Sequence, residues 1–246
     1  HIPLTAHSFG VDWQHVADAI TPRTRMIMIN SPHNPSGAIL SREDLLQLQS
    51  LAEQHNLLVV SDEVYEHLVF DDRQHHSALQ FPALRQRSFV LFSFGKTFSV
   101  TGWKTGYCVA PPSLTAELRK VHQVVCFVAN TPVQWAIAEF MEADPDYPAT
   151  LSAFYQRKRD LFCDALKWSR FSFVPSAGTY FQLLDYSAVS GAPDTQLAEA
   201  WTHEHGVASI PISVFYRQPP EQHYLRFCFA KSDAVLRDAT ERLCGI

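Results

Sequence analysis

The chain contains no apolar run that approaches the ~20 residues needed to span a bilayer, and its start lacks the basic and apolar regions of a secretory signal. A soluble, cytoplasmic protein without membrane contact is the expectation. No block of like charge interrupts the sequence, and 20 Lys plus Arg stand against 25 Asp plus Glu for a formal charge of −5. That balance excludes an extended nucleic-acid or anionic-lipid surface, so any anion site must be local. Neither a GxGxxG nor a Walker sequence is present, which leaves no nucleotide-binding alternative. CxxC and Cys/His metal spacings are missing too. The five cysteines (Cys108, Cys126, Cys163, Cys228, Cys244) are odd in number, widely spaced and set among apolar neighbours, and are read as buried reduced thiols. Only His75-His76 pairs two histidines, beside Asp71-Asp72-Arg73, and a solvated loop is a better reading there than a metal site. Repeats, low-complexity segments and flexible linkers are also absent. The hydrophobic content of 46% over 246 residues suffices for one large or two modest globular domains.

What the chain does have is a series of short apolar runs, each ending in a polar cluster. Arg25 to Asn30 reads as a buried strand that delivers Ser31-Pro-His33-Asn34-Pro35-Ser-Gly37 at its carboxyl end. Ser41 is placed to cap a helix, with Asp44 as the partner in a capping box and Leu45, Leu48 and Ala52 on one face. That helix should end near Asn56. Leu57 to Ser61 is a second buried strand running into Asp62-Glu-Val-Tyr65, and Phe89 to Ser93 a third, ending just before Lys96; Trp103 to Ala110 reads as a further strand. Chemistry set repeatedly behind buried strands is what an open α/β sheet predicts, because ligands collect at the strand carboxyl ends.

Further along, helices are expected over 113–128, 132–142 and, longer, near 148–168, where the helix would bridge to a second unit. Arg157, Lys158 and Arg159 on that last helix are read as its solvated face. Strands near 171–174, 179–184 and 224–230, a helix over 195–205 stopped by Gly206 and a final helix from Ser232 describe a small α+β domain.

The polar clusters supply what a lysine-bound pyridoxal 5'-phosphate would need. That cofactor requires an amine to hold its aldehyde, a carboxylate to keep its pyridine nitrogen protonated, and donors for its phenolate oxygen and phosphate. Lys96, Asp62, the pair Asn34 and Tyr65, and Ser93 with Lys104 fit these roles in turn. The segments SPHNPSG, SDEVY and SFGKTF…GWKTGY resemble the class I and II aminotransferases of the fold-type I pyridoxal phosphate family, and the resemblance continues to Arg226 in Tyr-Leu-Arg-Phe-Cys-Phe. Within that family, His33, the GWKTGYCVAP run and the AGTYF segment are most like bacterial methionine aminotransferases and the kynurenine and glutamine transaminases.

The resemblance implies an α/β fold: a fold-type I large domain with a mostly parallel sheet, incomplete here, over residues 1–147, and a smaller α+β carboxy-terminal domain with its bridging helix over 148–246. It implies transamination between an L-amino acid, neutral and sulfur-containing or aromatic, and a 2-oxo acid. Lys96 would be both cofactor anchor and general base, and Arg226 with Asn34 would hold the substrate carboxylate. It also implies a homodimer with active sites at the subunit interface. The family's phosphate-binding helix terminus and ring-stacking aromatic find no place in the sequence, so the chain is read as the carboxy-terminal part of a longer enzyme that binds the cofactor poorly alone. A carbon–sulfur β-lyase on the same scaffold, or the cofactor-binding sensor half of a transcription regulator, are the alternatives.

Each residue also has a plainer explanation. Asp62 could cap a helix, Asn34 could nucleate the Asn-Pro turn, Tyr65 could be a core aromatic, and Arg226 could form a structural salt bridge. Lys104 stands where the resembling family commonly has arginine, which keeps the charge without the bidentate fork. His33 and Phe181 could line the site or simply pack beside it. Gly102 and Gly106 are read as allowing close backbone approach around Lys104.

Overall fold

The computed structural model describes the whole chain, His1–Ile246. A short helix α1 (Trp13–Ala19) precedes β1 (Met26–Asn30), α2 (Arg42–Gln54), β2 (Leu58–Asp62), the one-turn helix α3 (Pro82–Arg85) and β3 (Ser88–Phe92). Another single turn, α4 (Phe94–Thr97), leads to β4 (Tyr107–Val109) and then to the helices α5 (Pro112–Val125), α6 (Thr131–Ala143) and α7 (Tyr147–Leu166). The chain closes with β5 (Phe181–Asp185), α8 (Asp194–Glu204), β6 (Ile210–Pro211), β7 (Tyr224–Cys228) and α9 (Asp233–Cys244).

The first sheet has the order β1-β2-β3-β4, parallel across its first three strands and antiparallel at β4. Helix α2 makes the β1-to-β2 crossover. It begins at a complete capping box, in which Ser41 Oγ accepts from the Asp44 amide and Asp44 Oδ2 accepts from the Ser41 amide. Its apolar face (Leu45, Leu48, Ala52) packs with Val59, Leu84, Val90 and Phe92 into one core. The second sheet, β5-β7-β6, is antiparallel and sits in a larger core that also takes in Tyr65, Leu68 and Phe70 from the segment after β2.

Several expectations are corrected. Strand β1 is not buried on both faces: Met28 is 68% exposed, and Val60 and Phe89, its neighbours on the same face of β2 and β3, are only partly buried. The run from Trp103 to Ala110 is a strand only over Tyr107–Val109, since Thr101–Trp103 forms a 3-10 turn that ends at Lys104 in the left-handed region (φ 55°). No strand forms over 171–174; Ser172 alone bridges to Asp185. Of the cysteines, only Cys163 is buried, and Cys126 and Cys244 are exposed.

The largest correction concerns α7. Lys158 (7% exposed) and Arg159 (3%) face inward, whereas Arg157 faces solvent. Lys158 Nζ donates to the Lys231 carbonyl at 2.7 Å and to Asp233 Oδ1 at 2.9 Å. Arg159 grips both Asp71 carboxylate oxygens at 2.7 Å and the Ser176 carbonyl at 2.9 Å. Buried cations persist only when paired in this way, and the pairs tie α7 to the start of α9 and to the segment after β2. His75 is likewise drawn out of solvent: its Nε2 lies 2.8 Å from Glu63 Oε2, and the buried Glu63 also accepts from Ser61 Oγ and the Ala78 amide.

Candidate active site

Parallel register brings the ends of β1, β2 and β3 level. Asn30 pairs with Asp62, and Asp62 with Leu91, so the SPHN loop, Asp62 and the Ser93–Lys96 turn all leave the same edge of the sheet. Asn30 ties two of them together. Its Nδ2 donates to the Asp62 carbonyl at 2.9 Å, and its Oδ1 accepts from the Asn34 amide at 2.8 Å. Asn30 escaped notice in the sequence because it reads as the last residue of a strand.

Asp62 is half-buried and forms no ion pair; its nearest donor is the Val64 amide at 3.4 Å. Burial raises its pKa above the usual carboxylate value, the Val64 amide and the Lys96 charge oppose the rise, and Glu63 adds to it. A desolvated carboxylate without a strong partner is suited to a cationic ring nitrogen. Lys96 lies in the turn α4, whose amino terminus is capped by Ser93: the Lys96 amide points at Ser93 Oγ over 3.3 Å. The Lys96 ammonium sits 5.7 Å from the centre of the Tyr65 ring and 5.8 Å from that of Tyr180.

Tyr65 is 2% exposed and meets Tyr180 edge-on at 5.2 Å. Burial drives its hydroxyl pKa far up, with Tyr180 contributing, while the positive charge of Arg226 pulls it back. Tyr180 was not singled out in the sequence. It lies in the AGTYF segment, just before β5.

Arg226 arrives from the other sheet. Its Nη1 donates to Asn34 Oδ1 at 2.6 Å, and it forms no salt bridge, so the plain structural role anticipated for it is not what the structure contains. Lys104 is exposed on its left-handed turn and makes no ion pair. Its loop is held against the end of β3 by Gly106, where an added Cβ would collide with the Phe92 carbonyl and approach Ser93 Cα to 3.4 Å. Gly102, by contrast, has open space around it, so the close approach expected there is absent.

His33 is partly buried beside this cluster with Nδ1 2.7 Å from Ser36 Oγ, and desolvation pushes its pKa down to about 4. It borders a cleft of about 540 Å³ together with Asn34, Ile212, Phe215 and Tyr216. The structure therefore gathers Asn34, Asp62, Tyr65, Lys96 and Arg226 around the strand ends, with Ser93 and Lys104 at one side.

The description "Aminotransferase class I and II" matches residues 1–243. The chain belongs to that aminotransferase family. It is 47% identical to methionine aminotransferase of Escherichia coli over 235 residues, covering 96% of this chain and 61% of the relative. Against kynurenine–oxoglutarate transaminase of Dictyostelium discoideum the identity is 34% over 256 residues, covering 95% of this chain and 59% of the relative. Among solved aminotransferases, an Escherichia coli structure with a methionine aminotransferase function superposes with a TM-score of 0.95 at 46% identity, covering 99% of this chain and 64% of that one. N-succinyldiaminopimelate aminotransferase from Mycobacterium tuberculosis follows at 0.92 and 36%, covering 98% and 63%. The fold is thus that of the fold-type I aminotransferases, whose family depends on pyridoxal phosphate. The chain spans about three fifths of the length of the curated aminotransferases it matches.

Proposed function

We propose that the protein is a pyridoxal phosphate-dependent aminotransferase, exchanging an amino group between a neutral L-amino acid, sulfur-containing or aromatic, and a 2-oxo acid. The observation that carries this reading is the cluster itself: a lysine amine beside two tyrosine rings, an unpaired half-buried carboxylate, and an arginine free of any acidic partner, gathered from two sheets. The donor set fits the cofactor. When bound, pyridoxal phosphate supplies an aldehyde that captures amines and a protonated ring that withdraws electrons from the substrate α-carbon.

The residues divide the remaining work. Lys96 Nζ would anchor the cofactor through its amine and, when free, is the base placed to take the proton from the substrate α-carbon. Asp62 would hold the proton of the ring nitrogen, since a desolvated carboxylate gains most from a cation. Asn34 and Tyr65 would donate to the phenolate oxygen. Ser93 and Lys104 would take the phosphate, with Lys104 supplying point charge rather than a bidentate fork. Arg226, with Asn34, clamps the substrate carboxylate and so fixes the direction of the α-hydrogen.

A neutral substrate follows from charge. Arg226 is the one arginine gathered into the cluster, Arg217 standing exposed at the rim of the adjoining cleft, and a dicarboxylic substrate would desolvate a second carboxylate that needs its own cation. The names of the relatives, methionine and kynurenine transaminases, agree with that preference. Also proposed are a division of the chain near residue 147, a cytoplasmic location and a homodimer. Exposed apolar side chains on α5 and α6, among them Val124 at 85% exposure, support the dimer. No helix is long and apolar enough to cross a membrane.

The test is an amino-donor screen of the intact protein followed by cofactor absorbance, comparing kcat/KM for methionine, phenylalanine, glutamine and aspartate. Methionine or phenylalanine should lead. A preference for aspartate would overturn the specificity while leaving transamination intact, and no conversion of any donor would overturn the activity.

A further inference from the structure

Arg226 is a half-buried cation with few partners. Burial pulls its pKa below the usual arginine value, no carboxylate pairs with it, and of the five N–H donors of a guanidinium only one is used, in the bond to Asn34. What faces it instead is aromatic. The guanidinium carbon stands 4.0 Å from the centre of the Phe181 ring, the shortest cation-to-ring distance in the molecule, and 5.8 Å from that of Phe215.

Strand pairing sets this contact. Arg226 pairs with Leu183 and Phe181 with Cys228 across β5 and β7, which makes Phe181 and Arg226 diagonal neighbours on one face of the sheet. The platform is itself fixed, because Phe181 meets Tyr180 edge-on at 4.7 Å and Tyr65 at 6.2 Å. A ring face attracts the guanidinium through its π electrons and leaves the in-plane N–H edge untouched. A carboxylate is bound through that edge, by two parallel hydrogen bonds.

We infer that Phe181 is a positioning residue for the amino-acid substrate: its ring holds the plane of the Arg226 guanidinium so that the free N–H edge meets the substrate carboxylate. The inference rests on the carboxylate-binding role proposed for Arg226. It assigns Phe181 no contact with the reacting atoms.

The experiment measures, by calorimetry on the intact cofactor-loaded protein, the binding of 3-phenylpropionate and of its uncharged amide, which offers no carboxylate. Phe181→Leu keeps an apolar side chain but removes the ring face, and Phe181→Tyr keeps the face. The Leu variant should bind the acid about 5- to 30-fold more weakly, with amide binding unchanged and the Tyr variant close to the parent. Unaltered cofactor absorbance and thermal midpoint show that the variants are folded. Equal losses for acid and amide, or no loss for the acid, would overturn the inference. Arg226→Gln separates it from the reading beneath it. If that change leaves acid binding intact, the carboxylate role itself falls; if it abolishes acid binding while Phe181→Leu does not, only the platform role falls.

Discussion

Asn34 and Arg226 are 192 residues apart in the chain and 2.6 Å apart in the fold. One leaves the carboxyl end of the parallel sheet and the other sits mid-strand in the antiparallel sheet, so this bond joins the two sheets at the candidate site. It also occupies one donor of a guanidinium that has no acidic partner, leaving the others for a ligand.

Replacing Lys96 by alanine should abolish covalent attachment of pyridoxal phosphate and nearly all transamination in the intact protein. Borohydride reduction of the parent followed by peptide mapping checks it, with the label expected on the peptide carrying Lys96. Label on any other lysine would remove Lys96 from its anchoring role.

Asp62→Asn should retain the cofactor but slow removal of the α-proton by about 10²- to 10³-fold, because a neutral amide no longer holds the ring proton. Single-turnover absorbance measurements decide it. A rate equal to that of the parent would mean that Asp62 serves another purpose.

His33 gives the protein a pH dependence with a definite sign. Its folded pKa of about 4 lies below the ordinary value of 6.5, so between those values the unfolded chain binds a proton that the folded chain does not. Stability contributed by neutral His33 is therefore fully present above pH 6.5 and lost as the pH falls toward 4. The loss is on the order of 3 kcal/mol. Urea unfolding midpoints of His33→Gln across this range should fall less steeply than those of the parent, and parallel curves would show that His33 does not titrate on unfolding.

The two glycines flanking Lys104 should respond differently to alanine. At Gly106 the new methyl group meets the Phe92 backbone carbonyl, which cannot yield without disturbing β3, and about 1–3 kcal/mol of stability should be lost. Gly102→Ala meets open space and should be within about 0.5 kcal/mol of the parent. Denaturant titration of both variants tests the pair, and similar effects at the two positions would contradict this packing of the loop.

Much of the architecture was legible because it depends on short-range pattern. The runs before Asn34, Asp62 and Lys96 are apolar and bounded by polar turn residues, and Ser41 with Asp44 carries its helix start in four residues. Once those strands are taken as parallel neighbours, the three clusters must share one edge. That much required no coordinates.

Other features depend on which distant segments meet. A helix sequence reports its own periodicity but not what lies opposite, so the inward turn of Lys158 and Arg159 was decided by Asp233 at the start of α9 and by Asp71 in the segment after β2, both distant in the chain. For the same reason His75 read as solvated until Glu63 faced it, and β1 read as buried until the face carrying Met28 proved exposed. Lys104 was placed on a strand because backbone handedness leaves little trace in side-chain pattern. By itself the sequence determined the first three strands, the helix cap and the residue types brought to the sheet edge, since these follow from local propensity and spacing. Only the tertiary structure decided that Arg226 would rest on Phe181 and reach Asn34, because that depends on how a second sheet packs against the first.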